Sequence, residues 1–299
     1  MRLACIGIGS NAIRLLTADD QAGKLCVVRR ERRGTRLFAG LVDGALTKES
    51  IRASVEAVGQ LASLARADGA AEVFIFATSA VRDARNAEEF TARAEAAAGA
   101  KVEIVSGEEE AILSFMGASE GGSCGVIDIG GGSTEFTLGE ESGILGAVSL
   151  QIGAVRMQAQ QPICSLADYE ETVTRCRRII QRDAKGLLAL PPRAQWVGVG
   201  GTMTTLGAME RHVPLFDPDT CEGMRMRSEQ VFSWGRRLAA MSIDARRHVE
   251  GLMPHRADII PSGIAILEAA MVSFSMPDLV LSAHGNMDGY LKQKFSKKC

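Results

Sequence analysis

The stretch that decides the fold is GVIDIGGGSTEF, residues 125–136. An apolar run (Val126, Ile127, Ile129) is interrupted only by Asp128. It reads as a buried strand with a carboxylate near its end. Three glycines follow, then Ser133, Thr134, Glu135 and Phe136, which read as a turn into a second strand. A tight hairpin turn favours glycine because glycine accepts positive φ, but a two-residue turn needs only one or two. Gly130, Gly131 and Gly132 with Ser133 expose several backbone N–H groups around a small concavity, the kind of nest that binds phosphate oxygens. Asp128, where the strand emerges, is placed to hold Mg²⁺ through water or to orient a nucleophile. Glu135 lies on the second strand, and the two carboxylates are the metal candidates.

The same pattern occurs earlier. IGIGSNAIRLL (6–16) repeats the strand–turn–strand of IDIGGGSTEFT (127–137), with Gly9 matching Gly130. Gly9, Ser10 and Asn11 are therefore a second candidate phosphate turn. Two copies of one unit, each opening a half of the chain, predict a duplicated fold with a cleft between the halves. A third element, WVGVGGTMTTLGAM (196–209), reads as a strand, a Gly200–Gly201 turn and a helix capped by Thr202. Glycines followed by a helix N-terminus again make an anion site. Neither GVGGTMTTLG nor GIGSNA has the spacing of a dinucleotide-binding fingerprint.

The rest of the chain bounds the answer. Its 299 residues are enough for two domains, and 46% hydrophobic residues supply a large aliphatic core. The net charge of −2 gives no global basic field, so a polyanion must be held by a local patch and no nucleic-acid partner is expected. The seven cysteines, Cys5, Cys26, Cys124, Cys164, Cys176, Cys221 and Cys299, contain no C-x-x-C pair and read as reduced thiols of a cytoplasmic protein. The N-terminus reads as a strand rather than a signal peptide, and no run approaches a membrane span. Further strands are expected at 24–33, in EVFIFA (72–77), in KVEIV (101–105), at 195–201 and in DLVLSAHG (278–285). Helices are expected after Thr47, in AEEFTARAEAAAG (87–99) and from Ser106 to about Met116. Hairpins followed by alternating strands and helices indicate α/β with mixed sheets. The boundary falls in EGGSCG (120–125), giving domains 1–118 and 119–299. RRERRGTR (29–36) is the densest basic cluster; it reads as a charge-protected edge strand, with part of it available to a long polyanion.

Seven segments resemble, in order and spacing, the exopolyphosphatase / guanosine pentaphosphatase family: GIGSNAIRLL (7–16), ATSAVRDARNAEEF (77–90), VEIVSGEEEAILSFMG (102–117), GVIDIGGGSTEF, SLQIGAVRM (149–157), VGVGGTMTTLGAM (197–209) and RADIIPSGIAIL (256–267). The resemblance covers essentially the whole chain. It implies two ribonuclease-H-like domains of the actin and sugar-kinase superfamily. It also implies hydrolysis of a terminal phosphoanhydride bond of polyphosphate or guanosine pentaphosphate, usually with Mg²⁺. Such a reaction needs a positioned in-line water and groups that neutralise the phosphoryl oxygens. The residues of SGEEEA leave Glu108, Glu109 and Glu110 as candidate bases, with Ser106 and Glu109 at capping-box spacing. The family places its catalytic glutamate directly before the alanine, which implies Glu110. Arg82 matches an arginine that the family places near the active site.

Two departures bear on activity. Where the family has aspartate before hydrophobic-Gly-Ser-Asn, this chain has Gly7. In LSAHG (281–285), Ala283 and His284 replace an acidic residue and an arginine. A second reading follows, a protein that binds polyphosphate or guanosine tetra- or pentaphosphate with little turnover. A sugar kinase or ATPase of the same superfamily is a weaker third. Gly7→Asp is expected to restore a carboxylate and lower the Mg²⁺ requirement. Self-association into a homodimer is compatible with the sequence.

Overall fold

The computed structural model describes residues 1–21, 24–119, 122–213 and 218–297. They form two compact units, 1–117 with 286–299, and 118–285. Glu120 and Gly121, in the expected boundary segment, and Cys299 lie outside the described residues.

The first unit contains β1 (Arg2–Ile8), β2 (Ile13–Gln21), β3 (Lys24–Arg33), β4 (Leu41–Val42), β5 (Ala45–Leu46), α1 (Lys48–Ala67), β6 (Glu72–Ala77), α2 (Ser79–Arg82), α3 (Ala87–Ala98), β7 (Val102–Ile104) and α4 (Gly107–Ala118). Its sheet has the order β3-β2-β1-β6-β7. The first three strands are antiparallel hairpins, and β6 and β7 continue in parallel. β1 is central and buried along almost its whole length, which is why it reads as a continuous apolar run. The Thr47 hydroxyl accepts from Ser50 N–H and starts α1, which buries Ile51, Val58, Leu61 and Ala65 and packs on α3. Gly99, at φ 63°, ends α3.

The second unit contains β8 (Cys124–Ile129), β9 (Thr134–Glu140), β10 (Gly143–Leu150), α5 (Ala154–Gln160), α6 (Leu166–Asp183), α7 (Lys185–Leu188), β11 (Trp196–Val199), α8 (Gly201–Glu210), β12 (Arg225–Arg227), α9 (Ser228–Ala239), α10 (Ile243–Arg246), α11 (Ile260–Ser273) and β13 (Asp278–Leu281). Its sheet runs β10-β9-β8-β11-β13-β12. Again two antiparallel hairpins precede parallel strands, so the units are duplicated as the repeat predicts, in the ribonuclease-H-like order that the family resemblance implies. β12 was not expected: it is three residues long on the sheet edge, with only Met226 buried. α11 is the apolar centre of the helical layer, packed by α5, α6 and α9. Its one carboxylate, Glu268, is buried and accepts from Tyr169 Oη at 2.8 Å and Arg236 Nη2 at 3.3 Å. Arg246 is fully buried and donates to the carbonyls of Leu238, Ile163 and Ala257, which fixes the segment leading into α11.

The last helix, α12 (Asn286–Ser296), differs from the expected division at 118/119, which put it in the second domain. It packs on β1 and β2 of the first unit, where Met287, Tyr290, Leu291 and Phe295 join Leu3, Cys5 and Phe76 in one apolar cluster.

That cluster changes the meaning of Gly7. On β1, Gly7 shares a face with Leu3 and Cys5 and stands directly opposite Phe76 of β6. A Cβ at Gly7 would lie 3.1 Å from Phe76 Cζ and 3.4 Å from Met287 Cγ. Phe76 is itself stacked on Tyr290, with ring centroids 4.5 Å apart. The direction in which a carboxylate would project is therefore occupied by apolar side chains. For Gly7→Asp to rebuild a metal ligand, Phe76 and Met287 would have to give way. The variant is expected to lose roughly 2–4 kcal/mol of stability through overpacking and burial of a charge, with no fall in Mg²⁺ requirement. Urea denaturation and a magnesium titration check this; a variant of wild-type stability with a lower magnesium midpoint would contradict it.

Candidate active site

In the first unit the turn between β1 and β2 closes with Gly9 N–H donating to Ala12 O at 3.1 Å. The carbonyls of Ser10 and Asn11 face the following loop and accept from Phe38 N–H at 2.8 Å and Arg36 N–H at 3.1 Å. Arg36 takes a left-handed backbone, φ 50°, to bring its amide there. The amides of Ser10 and Asn11 have no acceptor among the described residues, and Asn11 Nδ2 is buried without one. The Ser10 hydroxyl lies 2.9 Å from that of Ser79, which opens α2.

α2 ends at Arg82, and α4 opens with three glutamates. Glu109 and Ser106 exchange reciprocal bonds of 2.7 and 3.1 Å, a capping box that gives Glu109 a structural task. Glu108 and Glu109 are exposed, whereas Glu110 is only 6% exposed. Arg82 Nη1 donates to Val105 O at 2.9 Å and reaches Glu110 Oε2 at 3.4 Å. Its Nη2 is buried with no acceptor among the described residues. Arg82 thus pairs with Glu110 rather than with its neighbour Asp83. Two residues join this group that sequence reasoning missed. Asn286 Nδ2 donates to Glu110 Oε1 at 3.4 Å, and Asn286 Oδ1 accepts from Arg14 Nη2 at 3.2 Å.

In the second unit the β8–β9 turn repeats the first. Gly130 N–H donates to Ser133 O at 3.0 Å. The turn carbonyls are engaged by the start of α5: Gly130 O accepts from Ala154 N–H, and Gly131 O from Val155 and Arg156 N–H, at 2.9–3.0 Å. Gly132 O accepts from Arg156 Nε at 2.6 Å. The amides of Gly131, Gly132 and Ser133 have no acceptor among the described residues. Positive φ is not the reason for these glycines, contrary to expectation, since none of Gly9, Gly130, Gly131 and Gly132 takes it. At Gly9 and Gly130 a Cβ would lie 3.1 Å from the carbonyl oxygens of Ala12 and Ser133, and a side chain at Gly153 would collide with the backbone of Gly131 and Gly132.

Asp128 and Glu135 stand directly opposite each other on β8 and β9, 8% and 2% exposed. Glu135 Oε1 accepts from Ser149 Oγ at 2.6 Å. Side chains in such register have Cβ atoms about 4.5–5.5 Å apart, so the pair is a compact set of hard oxygens. It fits Mg²⁺, which commonly takes one or two carboxylates and completes its shell with water and substrate phosphate. Among the described residues no group of three or more His, Cys, Asp or Glu forms a dedicated all-protein metal cage.

At the neighbouring end of β11, Gly200 does require left-handed backbone, with φ 95°. A Cβ there would lie 2.7 Å from Asp128 Oδ1. Gly200, not Thr202, is the N-cap of α8. Thr202 lies inside the first turn with its side chain against Gly263 of α11, which corrects the expected cap. Arg256, also missed, lays its guanidinium over Gly201, donating to Gly201 O and, at 2.9 Å, to Thr205 Oγ1. It sits inside RADIIPSGIAIL, but no spacing in the sequence links it to a glycine 55 residues earlier.

The basic cluster on β3 is largely structural. β3 is an edge strand, and Arg29, Arg30 and Arg33 pair with Asp68, Asp288 and Glu31 at 2.6–2.8 Å. Arg32 stands opposite Arg14, and burial together with that neighbouring charge holds its guanidinium below its usual pKa. In the 281–285 segment, Ser282 and Ala283 bind the Glu222 carboxylate, and His284 N–H donates to Ser282 Oγ. None of the six described cysteines forms a disulfide, and no described helix is long and apolar enough to cross a membrane.

The chain as a whole is similar to known proteins. Exopolyphosphatase 2 of Mycobacterium tuberculosis is 34% identical, over 96% of this chain and 97% of its own. A guanosine-5'-triphosphate,3'-diphosphate pyrophosphatase of Pseudoalteromonas translucida is 29% identical over 96% of this chain but only 58% of its own length. Among solved structures, the Aquifex aeolicus Ppx/GppA family member superposes with a TM-score of 0.83 at 29% identity, covering 100% of this chain and 98% of that one. An exopolyphosphatase-like protein gives a TM-score of 0.92 at 26% identity with full coverage of both chains. Residues 16–298 match the Ppx/GppA phosphatase family as a whole, and the chain belongs to that family.

Proposed function

We propose that this protein hydrolyses the terminal phosphoanhydride bond of inorganic polyphosphate or guanosine pentaphosphate, releasing orthophosphate, in the cytosol. The observation that carries this reading is Glu110: a buried carboxylate held by Arg82, whose second terminal nitrogen has no acceptor among the described residues. In this reading the Glu110 carboxylate accepts a hydrogen bond from the attacking water. Arg82 offers its remaining N–H to an oxygen of the transferred phosphoryl group as charge develops there. The turn amides of Ser10 and Asn11, and of Gly131, Gly132 and Ser133, bind non-bridging phosphate oxygens. The α8 N-terminus at Gly200–Gly201, with Arg256, adds a further anion contact. Asp128 and Glu135 would hold Mg²⁺, which when bound supplies neutralising charge at the phosphates.

Gly7 supports the second reading, binding with little turnover, because the first unit supplies no carboxylate at that position and its space is filled by Phe76 and Met287. Phosphate release from both substrates separates the two. Glu110→Gln is expected to lower turnover by about 10²-fold or more, as for loss of a general base, while substrate binding persists. Wild-type turnover in that variant would remove Glu110 from the mechanism. Binding without release by the wild-type protein at any Mg²⁺ concentration would favour the binding protein.

Asp128→Asn is expected to raise the Mg²⁺ concentration needed for half-maximal release. The titration must be run at constant ionic strength, because screening alone shifts polyanion binding. An unchanged magnesium midpoint would show that the Asp128–Glu135 pair does not hold the ion.

A further inference from the structure

We infer that Asn286 is a positioning residue for Glu110, a neutral link that fixes the carboxylate between Arg82 and Arg14. The inference rests on the reading of Glu110 as the carboxylate that orients water. Asn286 is 4% exposed, and both ends of its amide face charged groups. Its oxygen accepts from the Arg14 guanidinium at 3.2 Å, and its nitrogen donates to Glu110 Oε1 at 3.4 Å. The reverse orientation would set N–H against guanidinium and oxygen against carboxylate, so the neighbouring charges choose the rotamer. Glu110 then has a donor on each oxygen: Asn286 from α12 on Oε1 and Arg82 from α2 on Oε2. Donors from two different elements define the carboxylate plane more tightly than one arginine would.

The distance between Asn286 and Glu110 is set by how α12 meets α4. Gly289 lies against the backbone of Leu113, where any side chain would collide. Lys292 Nζ donates to Met116 O at 2.8 Å, at the far end of the helix that carries Glu110. Asp288 is paired with Arg30 at 2.8 Å, and Cys5 Sγ donates to Met287 O at 3.5 Å. The first turn of α12 is therefore pinned on three sides. A neutral amide also does what a cation could not: it orients the carboxylate without adding a second full ion pair, which would weaken it as a base.

The test uses Asn286→Leu, which keeps the approximate volume and removes both bonds, and Asn286→Asp, which keeps the bond to Arg14 and sets a carboxylate against Glu110. Phosphate release from polyphosphate is measured across pH for each, and for Glu110→Gln and the double variant Asn286→Leu/Glu110→Gln. Charged groups that bear on Glu110 include Arg82 from α2, Arg14 from β2 through Asn286, and Glu108 and Glu109 on its own helix. Loss of the Asn286 donor destabilises the ionised carboxylate, so its pKa rises. Activity that requires the ionised form then appears only at higher pH. In Asn286→Leu we expect kcat to fall by about 10- to 100-fold, the scale of a misplaced catalytic group, with KM little changed and the acidic limb of kcat moved to higher pH. Asn286→Asp moves that limb further. In the Glu110→Gln background, Asn286→Leu has no added effect. A folded variant, either Leu or Asp, with wild-type kcat and limb overturns the inference. So does an equal loss of kcat in the Glu110→Gln background, which marks a purely structural role. Wild-type turnover in Glu110→Gln itself overturns the reading of Glu110, and is distinguished from both.

Discussion

Two hairpin turns can present their amides to an anion because their carbonyls are already engaged. In the β8–β9 turn the first amides of α5 and the Arg156 side chain take the carbonyls of Gly130, Gly131 and Gly132. In the β1–β2 turn the amides of Arg36 and Phe38 take those of Ser10 and Asn11. A peptide unit whose oxygen is tied behind it must point its N–H the other way. The α5 N-terminus has several of its own amides satisfied by these turn carbonyls. Gly153 matters for the same reason: any side chain there would push the turn off its seat.

Around these turns the charged groups divide by role. Acids that face solvent, such as Glu109, cap their own helices. The buried acids include Glu268 and Asp288, which pair with arginines inside their own units, and Glu110, Asp128 and Glu135, the candidates for water and metal chemistry. Burying a carboxylate is costly unless donors or cations meet it. Arg82 and Asn286 meet Glu110, and Ser149 meets Glu135. The same rule explains Gly7, where Phe76 and Met287 leave no polar surroundings for an acid.

Much of this was legible in the sequence because it is local. The repeated strand–turn–strand, the Thr47 and Gly99 helix ends and the Ser106–Glu109 capping box are set by neighbours a few residues apart. The family resemblance pointed to Glu110 among three acids, and of the three it is the buried one. What the sequence concealed depends on long-range contact. Asn286 meets Glu110 across 176 residues, and Arg256 meets Gly201 across 55. Membership of α12 in the first unit is likewise a packing fact. Thr202 was misread as a cap because Gly200, at positive φ, takes that position first. The turn glycines were expected to serve positive φ or close approach, and none of Gly9, Gly130, Gly131 and Gly132 takes positive φ.

The most direct measurement is an amide chemical-shift titration of the ¹⁵N-labelled protein with tripolyphosphate at constant ionic strength. If the turns are the anion sites, the amides of Ser10 and Asn11 and of Gly131, Gly132 and Ser133 shift in a saturable way, and those on β3 near Arg29 and Arg33 do not. Saturable shifts confined to β3 or other basic surface, with the turn amides unmoved, would contradict the assignment of phosphate binding to the turns.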